Sequence, residues 1–260
     1  MLQALIFDVD GTLSETERDG HRVAFNQAFA AAGLDWDWSA ERYGELLAVT
    51  GGKERIRHFW QQYLPDFVPA LADNMSEKEW IAGLHKSKTS YYVKLLQEGG
   101  IALRPGVRRL LTEARAAGIR LAIATTTTPD NVTALLETAL APDSPSWFEV
   151  IAAGDIVPAK KPAPDIYNYV LAQMQLQPEQ CLAFEDSKAG LQSARQAGLT
   201  TVVTVNDYTK TQKFAEAAIV LDHLGEPDLP FQVLQGDAGG ATYVDLALAD
   251  RLLTQSRAQD

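Results

Sequence analysis

The sequence predicts an α/β fold: a parallel sheet flanked by helices, with a helical domain inserted after the first strand. Two observations predict it. Short apolar runs alternate with helical patterns at the start of the chain and again from about residue 101 onward. Between them, residues 15–100 carry long amphipathic helical patterns and no convincing strand. A core is therefore expected over residues 1–14 and 101–260 and a helical insert over residues 15–100, a division that 260 residues can accommodate.

Ala4 to Phe7 reads as a buried strand, broken by the turn at Asp10 and Gly11. In the insert, Phe25, Ala28, Phe29 and Ala32 recur at helical spacing and end at Gly33. Ser76 and Glu79 form a capping-box pattern ahead of a helix to about Gln97. Trp36, Trp38 and Trp60 read as its core. Past the insert, Pro105 and Gly118 frame a helix that leads into the strand Ile119 to Ala124. Glu149 to Ala152, Cys181 to Phe184, Thr201 to Val205 and Ile219 to Leu221 are further candidate strands. Helices after Pro164 and over Lys188 to Ala197 fill the intervals, and a turn-rich stretch after Gly225 leads to a helix over Tyr243 to Leu253.

With 23 basic and 34 acidic side chains the formal net charge is −11. Such a surface repels nucleic acid and anionic lipid, because affinity for either needs Lys and Arg against phosphates; no nucleic-acid or membrane partner is expected. A small anionic substrate is compatible where a few cations converge. The single cysteine, Cys181, sits in an apolar run and reads as structural, which fits a reducing compartment. The start MLQALIFDVDG is no secretory signal, and no stretch of ~18 apolar residues follows. The cytoplasm is the expected compartment, or the chloroplast if a transit peptide has been removed. A monomer is the expectation.

The segment FDVDGTL places two carboxylates, Asp8 and Asp10, at the carboxyl end of a buried strand, where ligands bind in open α/β sheets. A lone Asp-Gly is an ordinary turn signal. Three further strand ends change its meaning. Thr125, Thr126 and Thr127 follow IRLAIA, where hydroxyls and amides can meet phosphate oxygens, although a threonine run alone is weak evidence. Lys161 precedes Pro162, shortly after EVIAA. Glu185 and Asp186 end CLAF, and adjacent carboxylates at a buried strand end repel one another unless a cation lies near. A hard-oxygen magnesium site, a phosphate cradle and a spare carboxylate are the parts phosphoryl transfer needs.

FDVDGTL, Thr125, Lys161 and EDS, in that order, resemble the four motifs of the haloacid dehalogenase (HAD) superfamily. The resemblance implies a Rossmann-like core with a mobile helical cap, and it assigns roles. Asp8 would be the nucleophile forming an aspartyl phosphate, and Asp10 the general acid and then base. Magnesium would be held by Asp8, the Asp10 main-chain carbonyl and Asp186, with Glu185 as ligand or close support. Thr125 and Lys161 would hold the transferring phosphate. TERDGHRVAFNQAF, YGELLAVTGGKERI, LRPGV, GDIVPAKKPAPDIYN, EDSKAGL and VLDHLGEPD further resemble CbbY-type sugar phosphatases, in particular their plant and cyanobacterial branch. That family is similar to xylulose-1,5-bisphosphate phosphatases, which remove a misfire product that inhibits Rubisco. Relative to the bacterial branch, Glu17 to His21 is one residue longer, at Gly20.

The insert offers candidates for sugar-phosphate specificity. Glu17 and His21 lie four apart, which predicts one helical face. Thr50, Gly51, Gly52 and Lys53 form a glycine-rich turn into a helix carrying Arg55, the pattern of a phosphate cradle. His85 and Lys88 lie three apart on the last helix of the insert. Each of these taken singly reads first as a solvated surface residue, and the CbbY-type resemblance raises Thr50 to Lys53 most. A β-phosphoglucomutase-like mutase is the first rival reading, since it uses the same aspartate pair. A phosphonate hydrolase would lack Asp10, a two-metal nuclease is opposed by the charge of −11, and a non-catalytic module would tolerate a missing carboxylate.

Overall fold

The computed structural model describes residues 1–69, 71 and 74–257. Residues 70, 72 and 73 of the expected insert and 258–260 of the expected core lie outside the described residues. The chain forms two compact units, Met1–Glu15 with Ala102–Asp260, and Thr16–Ile101.

Strand β1 (Ala4–Phe7) opens the core unit. The helical unit begins with a wide π-type turn at Glu17–His21 that runs into α1 (Arg22–Ala31). It continues with α2 (Ala40–Leu46), α3 (Gly52–Tyr63) and α4 (Glu77–Gln97). The capping box at the start of α4 is made: Glu79 N–H donates to Ser76 Oγ at 3.2 Å, and Ser76 N–H donates to the Glu79 carboxylate at 2.8 Å. Helix α1 packs on α4. The unit is filled by Phe25, Phe29, Trp36, Trp38 and Phe59, the two tryptophans meeting these phenylalanine rings at tilted or edge-on angles with centroids 4.8 to 5.5 Å apart. Asn26 pins the turn after α1 to this core, its side chain accepting from Trp38 N–H and donating to Trp38 O.

The core unit resumes with α5 (Val107–Ala116), β2 (Arg120–Ala124), α6 (Pro129–Leu135), β3 (Val150–Ala152) and α7 (Asp165–Met174). Then come β4 (Cys181–Glu185), α8 (Lys188–Gln196), β5 (Thr200–Thr204), β6 (Ile219–Leu221), β7 (Val233–Gln235) and α9 (Leu246–Arg257). The sheet runs β3-β2-β1-β4-β5-β6-β7. All neighbours are parallel except β6 and β7. Strand β1 is buried along its whole length, as a strand covered on both faces must be. With β2 and β3 on one side of it and β4, β5 and β6 on the other, it marks the point where strand order reverses, and ligands bind beyond the carboxyl ends there.

Two sequence expectations change. Strand β7 was not expected; it is a short antiparallel edge strand with exposed side chains, and three residues without apolar alternation give no pattern to read. The last helix starts at Leu246 instead of Tyr243, because the Asp245 carboxylate accepts Leu248 N–H at 2.7 Å and caps it there, and it runs to Arg257. Among the described residues no helix is long and apolar enough to cross a membrane.

Candidate active site

Register brings the core candidates together. Phe7 pairs with Ile123 of β2 and Phe184 of β4, so Asp8 comes level with Ala124 on one side and Glu185 on the other. Asp8 N–H donates to Phe184 O at 3.0 Å, which keeps the residue in line with the strand. The chain then turns at Gly11, whose φ is +82°. Glycine is required there for a second reason: a Cβ would run into the Asp186 carboxylate and the Asn206 amide.

Lys161, after β3, reaches into this group with its ammonium. It donates to Asp8 Oδ1 at 2.7 Å, Glu185 Oε1 at 2.6 Å and Ala124 O at 2.8 Å, so every N–H bond has an acceptor. The side chain is 5% exposed. Burial alone would lower its pKa, but the carboxylates of Asp8 and Glu185 outweigh that and hold it protonated. Asp8 is pushed the other way. Burial raises its pKa from 3.8 to about 7, with Glu185 and Asp10 adding to the rise and Lys161 opposing it.

Carboxylate oxygens of Asp8, Glu185 and Asp186 lie within 4.8 Å of one another, and all three residues are buried. One ammonium does not balance three buried carboxylates, and all the donors are oxygens. That chemistry fits a hard divalent cation.

Two neighbours that sequence reasoning missed fix the cluster. The Tyr167 hydroxyl donates to Glu185 Oε1 at 2.5 Å; burial and the facing Glu185 push the phenol well above its usual pKa, so it stays a donor. The Asn206 amide donates to Asp186 Oδ2 at 2.7 Å. Tyr167 lies one turn into the helix after KKPAP, a spacing that could have revealed it; Asn206 follows β5 with no comparable signal.

The threonines form the turn into α6. Thr125 N–H donates to Ala152 O, and Thr125 Oγ1 accepts from Thr127 N–H at 3.3 Å. Asn131 Nδ2 donates to Thr127 Oγ1 at 2.9 Å, leaving that hydroxyl proton to be donated onward. Thr126 is half-buried beside them.

Within the helical unit the candidates form two groups. The Tyr43 hydroxyl donates to Glu17 at 2.5 Å and accepts from Arg55 Nη1 at 2.9 Å. Arg55 is buried, and its other nitrogens face Leu46 O and Val49 O, so its guanidinium ties α3 to the end of α2 and the turn after it. Lys88 Nζ lies 2.5 Å from His21 Nδ1, and the His21 ring stacks on Tyr92. Glu17 and His21 do not sit on a regular helical face as their spacing predicted; they belong to the π-type turn, which also contains the buried Gly20. A Cβ on Gly20 would meet the side chains of Ile101 and Tyr92, so the turn is closely packed there. His85 lies against Gly52, where a Cβ would strike its ring. Thr50 and Lys53 are partly exposed, and Gly51, at φ +98°, turns the chain into α3.

The chain matches the family model described as haloacid dehalogenase-like hydrolase over residues 2–198. It is 52% identical over 216 residues to Protein CbbY of Rhodobacter capsulatus, covering 83% of this chain and 91% of the relative. To Protein CbbY of Cereibacter sphaeroides it is 48% identical over 226 residues, 87% of this chain and 94% of that one. A crystal structure of a CbbY mutant from Rhodobacter sphaeroides in complex with xylulose-1,5-bisphosphate is similar with a TM-score of 0.76 and 46% identity, over 86% of this chain and 95% of the other. The agreement spans the strand ends that carry Asp8, Lys161 and Asp186, and the chain belongs to the haloacid dehalogenase-like hydrolases, with the CbbY proteins as its relatives.

Proposed function

We propose that this phosphatase removes one phosphate from xylulose-1,5-bisphosphate, leaving xylulose 5-phosphate, by way of a phosphoryl group carried on Asp8. The observation that carries the reading is the buried cluster in which one ammonium, Lys161, touches Asp8 and Glu185 while Asp186 stands beside them. The substrate assignment is supported by the similarity to a CbbY protein solved with xylulose-1,5-bisphosphate.

Asp8, the Asp10 main-chain carbonyl and Asp186 would hold magnesium, with Glu185 in support; when bound, the ion neutralises charge on the phosphoryl oxygens and the nucleophile. A carboxylate oxygen of Asp8 attacks phosphorus as the ester P–O bond breaks. Asp10 gives its proton to the departing sugar oxygen, then accepts one from the water that attacks the same phosphorus and frees inorganic phosphate. Lys161 and Thr125 steady the phosphoryl oxygens, and Lys161 fixes which oxygen of Asp8 faces the substrate. On the helical unit, the Thr50–Lys53 turn is the proposed contact for the second phosphate, and Glu17 the proposed contact for a sugar hydroxyl.

The test is phosphate release, with magnesium, over a panel of sugar mono- and bisphosphates, with product isomers followed in parallel. One phosphate per xylulose-1,5-bisphosphate and no isomer is the expected result. Isomerisation of a sugar monophosphate without net phosphate release would replace the hydrolase with a mutase.

A further inference from the structure

Arg104 stands just past the point where the chain returns to the core unit, next to the bridge between Ser14 and Leu103. Its guanidinium is buried and fans out over three separate segments. Nη1 donates to Gly11 O and to Thr204 O at 3.1 Å. Nη2 donates to Val205 O and Asp222 O, each at 2.6 Å, and Nε pairs with the Glu15 carboxylate at 2.9 Å. Burial pulls the Arg104 pKa down, and Glu15, Asp186 and Asp222 oppose that pull, so the field of the carboxylate cluster reaches this group.

Two of these segments carry the site. Gly11 follows Asp10 directly, and a Cβ on it would strike the side chains of Asp186 and Asn206. Asn206 follows Val205 and donates to Asp186 Oδ2. One guanidinium thus ties the loop bearing Asp8 and Asp10 to the strand end whose next residue orients Asp186. A lysine could not do this. Its three N–H bonds radiate from one point, whereas the planar fork of arginine reaches acceptors on several sides.

We propose that Arg104 is a positioning residue for the carboxylate cluster: by holding the Gly11 carbonyl and the ends of β5 and β6 together it sets the spacing of Asp8 and Asp10 from Asp186, and with it the affinity for the divalent cation. The inference rests on the reading of those carboxylates as a metal-holding set.

Calorimetric titration of magnesium into the substrate-free protein tests it, alongside kcat, KM and thermal unfolding, for wild type, Arg104→Lys and Glu15→Gln. Arg104→Lys raises the magnesium dissociation constant about 10–100-fold, the scale on which groups that orient metal ligands act. It lowers kcat at limiting magnesium, excess magnesium recovers much of the loss, and KM changes little. Glu15→Gln leaves the carbonyl bonds of Arg104 intact and binds magnesium as wild type does. If Arg104→Lys does not fold, Arg104→Gln, which keeps two donors and buries no unpaired charge, takes its place with the same expectation. A folded Arg104 variant with lowered Tm and wild-type magnesium affinity overturns the inference, as does an equal loss in Glu15→Gln. A wild-type protein that takes up no magnesium overturns the metal reading itself and the inference with it.

Discussion

Asp8 shows how a single buried group couples reactivity to pH. Its pKa of about 7, against 3.8 unperturbed, comes first from burial and then from Glu185 and Asp10, with Lys161 holding the rise in check. Between those two values the folded, metal-free chain binds more protons at Asp8 than the unfolded chain does. The contribution of this group to stability therefore falls as pH rises through that window. The chelator-treated protein is expected to lose Tm between about pH 4 and about pH 7 through this group, and Asp8→Asn to flatten that slope. An unchanged slope in the variant would show that some other group titrates. A divalent cation competes with the same proton, so magnesium should raise Tm more at the alkaline end. In turnover, Asp8→Asn abolishes phosphate release because an amide is not a nucleophile toward phosphorus. Asp10→Asn loses roughly 10²–10⁴-fold, the scale of a missing acid–base group. Retained activity in Asp8→Asn would remove the nucleophile assignment.

At the scale of elements, two glycines make opposite predictions. Gly190 lies in the first turn of α8, where its N–H donates to Ser187 Oγ at 3.1 Å and a Cβ would collide with the Glu185 carboxylate. Gly190→Ala should drive Glu185 off Lys161 and Tyr167, destabilise by about 1–3 kcal/mol as overpacking does, and lower kcat/KM. Gly83 is exposed in the middle of α4 with nothing within 4 Å of its Cβ position. Gly83→Ala should stabilise by roughly 0.5–1 kcal/mol and leave turnover unchanged. Urea unfolding with parallel assays decides both; a harmless Gly190→Ala would mean that α8 can shift away from Glu185. The same contrast explains what was legible in the sequence. Strands β1, β2 and β4 were readable because burial on both faces makes them continuous apolar runs, and the carboxylates could be placed because they follow those runs directly. Arg104, Tyr167 and Asn206 were not assigned, although LRPGV and AKKPAPDIYN drew attention, because their partners lie on distant segments that only register brings near. The His21–Lys88 contact was hidden for the same reason, and the π-type turn because a 3.6-residue period was assumed there.

For the whole molecule, the question is what would receive the second phosphate of the proposed bisphosphate substrate. The core unit carries the carboxylate cluster and Lys161, and the helical unit carries a glycine-rich turn at Thr50–Lys53 whose neighbour Arg55 is already committed to Tyr43 and to carbonyl oxygens. With a net charge of −11 the surface offers a second phosphate little general attraction. Its affinity must come from local donors, and Lys53, partly exposed on the first turn of α3 next to the glycine-rich turn, is the cation that the proposed reading assigns to it. Charge-assisted hydrogen bonds of that kind contribute roughly 1.5–3 kcal/mol each. Lys53→Ala should therefore lower kcat/KM for xylulose-1,5-bisphosphate by about 10–100-fold and leave hydrolysis of a monophosphate or an aryl phosphate nearly unchanged. The difference between substrates carries the argument, because a residue that only stabilises the helical unit would slow all of them alike. Equal losses on the bisphosphate and the monophosphate would assign Lys53 to folding and send the second phosphate elsewhere.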